Sequence, residues 1–338
     1  MDTGSVLSSS DSISGSRLTT NHSFHFLQCV KDTSMILQKL NRDIETYLLN
    51  GDSDRTKECV SKLHKVISNN PLNTLSLSDS YYYIGLYHLI WGGYADAIKW
   101  LKRSMISREI LGIEDMRYVK CLYNLGVAYN KAGDYGNQKY FTLKSLEIEK
   151  KIVGESNPTL LTSYATMINA LIGLKDYDEA ILYGDLAQKI IQENNLANSE
   201  MADIYTNLGA CYSKLSDFSK ATIYFEKSES LYRIGNIQQD ERYLNIIHNL
   251  ALTYGYFGYR DKSDKYFKQG LELAKSFDTM LSFNFINTYA KYLAKSGNID
   301  SGEKLLEEAV LNSEQIYGNS SINYYEVLCN YADFLLTS

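Results

Sequence analysis

The chain has 338 residues, of which 44% are apolar and 22% charged, and a formal net charge of −6. Those are globular values and exclude wholesale disorder. The acidic balance excludes a basic surface that coats nucleic acid. Only Pro71 and Pro158 interrupt the backbone, which suits long helices and argues against a proline-punctuated all-β fold.

In chain order, residues 1–24 are rich in Ser, Thr, Asp and Gly and predict a disordered tail. No basic, then apolar, leader opens the chain, and no run of about 18 apolar residues spans a membrane. The five cysteines are scattered, without a C-x-x-C pair, and read as reduced thiols in the cytoplasm. Asn21-His-Ser and Asn319-Ser-Ser match a glycosylation pattern by chance, since no secretion signal precedes them.

From residue 25 to 338 the chain predicts one array of repeats. Ile44, Gly85, Gly126, Ile168, Gly209, Ala251, Ala290 and Ala332 stand 41, 41, 42, 41, 42, 39 and 42 residues apart. Each is an anchor with fixed chemistry at fixed offsets. Three residues on stands Tyr47, Tyr129, Tyr212 or Tyr254; seven on, Gly51, Gly92, Gly133, Gly258 or Gly297. Nine on stands Tyr94, Tyr135, Tyr177 or Phe218; sixteen on, Leu101, Phe225, Phe267 or Leu306. At 3.6 residues per turn the anchor and its neighbours share one face of a first helix, and its small size admits a second helix closely. The following glycine closes the first helix. A second, antiparallel helix then runs from about nine to twenty-six residues after the anchor. Neither buries its stripe alone, so the hairpins must stack.

The pattern resembles the tetratricopeptide repeat, in particular the 42-residue type of kinesin light chains. Residues 124–158, NLGVAYNKAGDYGNQKYFTLKSLEIEKKIVGESNP, carry the best copy. The likeness covers about 74–338 well and the divergent hairpin 33–70 weakly. It implies an all-α solenoid, a right-handed superhelix of seven hairpins plus an unpaired helix at about 322–337. Ile168, Lys175, Gln138 and Arg260 depart from the pattern and imply looser or bent packing nearby. The last helix carries a full internal-repeat pattern, which favours a chain that continues into a further domain over a dedicated cap.

No phosphate-binding, zinc-protease or nucleophile-elbow motif is present, so the chain reads as no enzyme, with no cofactor and no metal. His22 and His25 lie in or beside the tail; His64 and Cys59 do not share a helix face; His88 substitutes for a core tyrosine. Most tyrosines, including Tyr81, Tyr164 and Tyr205, occupy core slots of the repeat.

Asparagine is the sharper signal. Asn124, Asn207, Asn249 and Asn330 each precede an anchor by two residues, with Thr166 and Thr288 in the intervening copies. The offset puts them about 160° from the buried anchor, facing a concave groove. Asparagine is a poor mid-helix residue, and an amide ladder can pair with an extended peptide backbone. The kinesin-light-chain resemblance implies the same, since asparagines at matching positions there are associated with peptide cargo. Amides that only bridge neighbouring helices are the competing reading. Lys120, Tyr123, Lys131, Asp203, Lys214, His248, Tyr256, Asn287, Lys291 and Lys295 fall on the same face. The basic clamp of chaperone-binding tetratricopeptide domains is not reproduced. The function expected is a protein-interaction scaffold that takes a protein segment or peptide, with neither nucleic acid nor membrane as partner. The alternatives are the regulatory part of an effector (a caspase-like protease, kinase or transcriptional protein) and a peptide-pheromone receptor.

Overall fold

The computed structural model describes residues 14–68, 74–194, 196 and 199–337, and among them every regular element is an α-helix. The chain divides into two compact units, one ending at Gly154 and one beginning at Glu155. In the first, α1 (Ser14–Leu49) pairs with α2 (Ser53–Ser68), α3 (Leu75–Ile90) with α4 (Tyr94–Leu111), and α5 (Met116–Lys131) with α6 (Tyr135–Val153). In the second, α7 (Leu160–Gly173) pairs with α8 (Tyr177–Glu193), and α9 (Ser199–Lys214) with α10 (Phe218–Ile234). There α11 (Glu241–Tyr256) then pairs with α12 (Arg260–Ala274), and α13 (Met280–Lys295) with α14 (Ile299–Tyr317); α15 (Ile322–Thr337) packs on α13 and α14.

The start of α1 differs from the expected tail. The helix begins at Ser14 and takes in residues 14–24. No Gly or Pro stands between Arg17 and Leu49, so nothing in the sequence stops a helix from growing backward from its packed end. Residues 1–13 of that tail lie outside the described residues, as do the side chains of His22, His25 and Cys29.

The hairpin turn is one device repeated. Seven residues after the anchor the backbone is left-handed, not only at Gly133 (φ 75°) but also at Lys175 (φ 63°) and Ser216 (φ 62°). The next N–H then bonds back over the helix end, Asp134 to Tyr129 O, Asp176 to Leu171 O and Asp217 to Tyr212 O, each at 2.9 Å. The same aspartates start the second helix, their carboxylates accepting from Asn137, Glu179 and Lys220 N–H.

Anchor and second helix touch as the period requires. A methyl group on Gly209 would stand 2.6 Å from the buried Phe225 ring, and one on Gly85 2.7 Å from Leu101. In α7–α8 the sizes are exchanged: Ile168 is fully buried, and Gly184 takes the place held elsewhere by Leu101 or Phe225. Gln138, in a slot for a small residue, is buried and accepts from Asn130 Nδ2 at 2.9 Å.

Candidate binding groove

Within each unit the first helices of neighbouring hairpins touch: α1 with α3, α3 with α5, and in series α7, α9, α11, α13 and α15. The second helices of neighbouring hairpins have no Cα atoms within 8 Å of each other among the described residues. A stack that is tight on one side and splayed on the other curves, with its first helices on the inside. The residues two before each anchor therefore line the inner side.

The asparagines there are not equivalent. Asn124 Nδ2 donates to Tyr82 Oη on the preceding first helix at 3.2 Å, and Asn207 Nδ2 donates to Ala165 O at 3.3 Å. Both amides bridge neighbouring helices. Asn249 makes only a long contact within its own helix, 3.4 Å to Asn245 Oδ1. Asn330 is half-buried and makes no hydrogen bond among the described residues. The intervening Thr166 and Thr288 donate to carbonyls of their own helices, Thr162 O and Asn284 O, each at 2.9 Å.

Asn287 lies on α13 with its Oδ1 buried and unpartnered, although a buried polar atom ordinarily finds a partner. His248 departs from the expected open groove position. Its ring turns against Phe285 of the next first helix, centroids 5.5 Å apart, and its Nε2 is buried without a partner. Burial lowers this imidazole to about 4, so it is neutral at pH 7.

Lys120, Lys131, Lys214 and Lys295 are exposed; Tyr123 is half-buried. Lys291 pairs with Asp333 at 2.7 Å and Asp203 with Arg242 at 2.9 Å, so the inner side carries little unpaired charge at these points. Tyr256 is exposed and lies against Phe218, centroids 3.7 Å apart.

One cluster was not anticipated from the sequence. Arg108, 1% exposed at the end of α4, is held between Asp79 of α3 and Asp115, the N-cap of α5, the latter at 2.6 Å. Arg117 lies over the Tyr82 and Tyr83 rings, 5.0 Å from each centroid. Asp79, Arg108, Asp115 and Arg117 line, together with Leu75, Met116 and Lys120, a cavity of about 410 Å³. The available signal was an arginine on the otherwise buried stripe of a second helix.

No group of three or more His, Cys, Asp or Glu among the described residues is placed to hold a metal ion. Burial pushes the Cys121 and Cys211 thiols up to about 12, far from the thiolate a nucleophile needs. No helix among the described residues is long and apolar enough to cross a membrane.

Tetratricopeptide-repeat family models match residues 159–234 and 244–277, over hairpins α7–α8, α9–α10 and α11–α12. These three hairpins carry tetratricopeptide repeats. This repeat protein is similar to response regulator aspartate phosphatase E of Bacillus subtilis strain 168. The two are 24% identical over 298 residues, 80% of this chain and 77% of that protein. Its fold is similar to the apo form of the quorum sensor NprR from B. thuringiensis, with a TM-score of 0.63 at 16% identity over 95% of this chain and 94% of that one. It is also similar to the Rap conjugation gene regulator of plasmid pLS20, solved in complex with a Phr peptide. There the TM-score is 0.56 at 15% identity, over 90% of this chain and 96% of that one. At such identities the likeness establishes the helical-repeat fold.

Proposed function

We propose that this tetratricopeptide-repeat protein is a non-catalytic receptor for an extended peptide. The peptide lies along the inner side of the second unit and pairs its backbone with Asn249 and Asn330. One observation carries this reading. On the first helices α11 and α15 the amides of Asn249 and Asn330 are held by a 3.4 Å contact or by none, whereas Asn124 and Asn207 are engaged with neighbouring helices. Mid-helix amides left unpartnered lower stability, and a peptide backbone supplies the donor and acceptor each lacks. A peptide-bound regulator and a quorum sensor among the proteins of similar fold support the same reading. The chain then serves as the sensing part of a regulatory system, in the cytoplasm, where its free cysteines stay reduced.

The test is binding of short synthetic peptides, read by fluorescence anisotropy. The wild type binds a subset of them, and Asn249→Ala with Asn330→Ala weakens the tightest about tenfold or more, equivalent to about 1.4 kcal/mol. An unchanged affinity in that variant, or no peptide bound, overturns the reading.

The name of the curated relative gives a second reading, hydrolysis of an aspartyl phosphate on a partner response regulator. Faster loss of phosphate from a phosphorylated receiver domain on adding this protein selects it.

A further inference from the structure

In the second unit a position near the end of each second helix and one near the start of the next first helix recur at fixed offsets from the anchors. In α8 and α9 the two facing positions are Ile191 and Met201; in α10 and α11 they are Tyr232 and Tyr243, whose rings stack with centroids 5.6 Å apart. All four are buried. In the next step the same positions hold Ala274 and Ser282. This is also the step where anchors Ala251 and Ala290 are only 39 residues apart, and α12 has 15 residues against 17 in α8 and α10. Two large side chains and part of a helical turn are therefore missing at one place.

The space is not closed by collapse of the neighbours. A cavity of about 350 Å³ opens there, walled by Leu271 and Ala274 of α12, Phe283 and Ile286 of α13, and Leu305 and Ala309 of α14. It lies between second helices α12 and α14, which do not touch. Beside it Ile316 is 39% exposed. On the rim, Lys275 is already paired with Glu272 at 3.4 Å, while Asp278 and Glu308 make no ion pair among the described residues. Asp278 and Glu308 therefore leave the rim with unpaired acidic groups, beside a cavity lined by apolar side chains together with Ser282, Asn312 and Gln315.

We propose that this cavity is a docking site for a partner protein, taking one large aromatic side chain from a segment whose flanks are basic. The aromatic group replaces the ring missing at Ala274 and Ser282, and burying it removes apolar wall and apolar guest together from water. The basic flanks answer Asp278 and Glu308, which sets approach and orientation more than affinity. The site stands on the second-helix side, so it operates whether or not the inner side holds a peptide.

The probe is a fluorescein-labelled peptide with one Trp flanked by lysines, compared with its Trp→Ala and Lys→Glu counterparts. The wild-type protein binds the first, and loss of the Trp weakens binding about tenfold or more. Ala274→Tyr refills the cavity from within; the array stays folded and binding falls about tenfold or more. Asp278→Lys with Glu308→Lys, both exposed, leaves folding unchanged and weakens binding several-fold at low salt, the difference vanishing at high salt. If Ala274→Tyr does not fold, the rim variant decides alone. Binding indifferent to the Trp, to Ala274→Tyr or to rim charge overturns the proposal. So does self-association of the wild type that Ala274→Tyr or the rim variant abolishes, since the occupant is then a second copy.

Discussion

Asn207 on α9 reaches back 42 residues to the carbonyl oxygen of Ala165 on α7, and its counterpart Asn124 makes the same 42-residue reach to Tyr82. In both places one amide ties a first helix to the one before it. The first helices thus carry two kinds of asparagine, one structural and one without such a tie, at a single repeat position.

Alanine substitution separates them. Asn207→Ala gives up a bridging bond, about 1 kcal/mol, and recovers several tenths from better helix propensity, for a small net loss. Asn249→Ala gives up only a 3.4 Å contact and recovers the same propensity, so it is neutral or stabilising. Urea midpoints of the two variants are expected to differ by about 1 kcal/mol in that order. Equal midpoints contradict the division.

Lys175 holds a left-handed conformation, φ 63°, in the turn where other hairpins use glycine. Lys175→Gly removes the strain of a side chain there and stabilises the protein by about 1 kcal/mol despite added freedom in the unfolded chain. Chemical denaturation with an unchanged slope against denaturant checks it.

Gly209 behaves oppositely. Its Cβ position lies 2.6 Å from Phe225, a fully buried ring with no room to retreat. Gly209→Ala is expected to destabilise by about 1–3 kcal/mol even though alanine is the better helix former. Hydrogen exchange localises the loosening to α9 and α10.

His248 gives the array a pH dependence of defined sign. The folded imidazole titrates near 4 and the unfolded one near its ordinary 6.5, so the unfolded chain takes up the proton first. The stability is complete above about 6.5 and falls as pH drops toward 4, with a limiting slope of about 1.4 kcal/mol per pH unit for one proton. Burial lowers His64 and His88 as well, which adds to the fall. Denaturation midpoints measured across that range are expected to flatten in His248→Phe.

Arg108 is clamped by Asp79 and Asp115, and burial raises the Asp79 carboxyl despite the cation beside it. Arg108→Leu leaves the half-buried Asp79 carboxylate with only the 3.9 Å contact to Arg117 and is expected to cost about 2–3 kcal/mol. Arg108→Leu with Asp79→Leu removes the need for the pair and costs less than the single change. A double-mutant cycle measures the difference.

The sequence alone determined the period, the hairpin and the turn. A small anchor against a large residue sixteen positions on is a contact inside one hairpin, as with Gly209 and Phe225. The left-handed turn followed by an aspartate cap is local too, strongly enough that Lys175 and Ser216 adopt a glycine's conformation. Short-range sterics and hydrogen bonding dictate such features, so a repeating pattern records them. The tertiary structure decided which inner-side groups are engaged. Whether Asn207 meets Ala165 O, whether His248 turns onto Phe285, and whether Arg108 finds two carboxylates depend on how one hairpin rotates against the next. That rotation follows from the packing of whole helices around 40 residues apart in the chain, and no local spacing encodes it. The beginning of α1 lay beyond composition for a related reason: a polar segment without a helix breaker takes its conformation from the packed helix it continues.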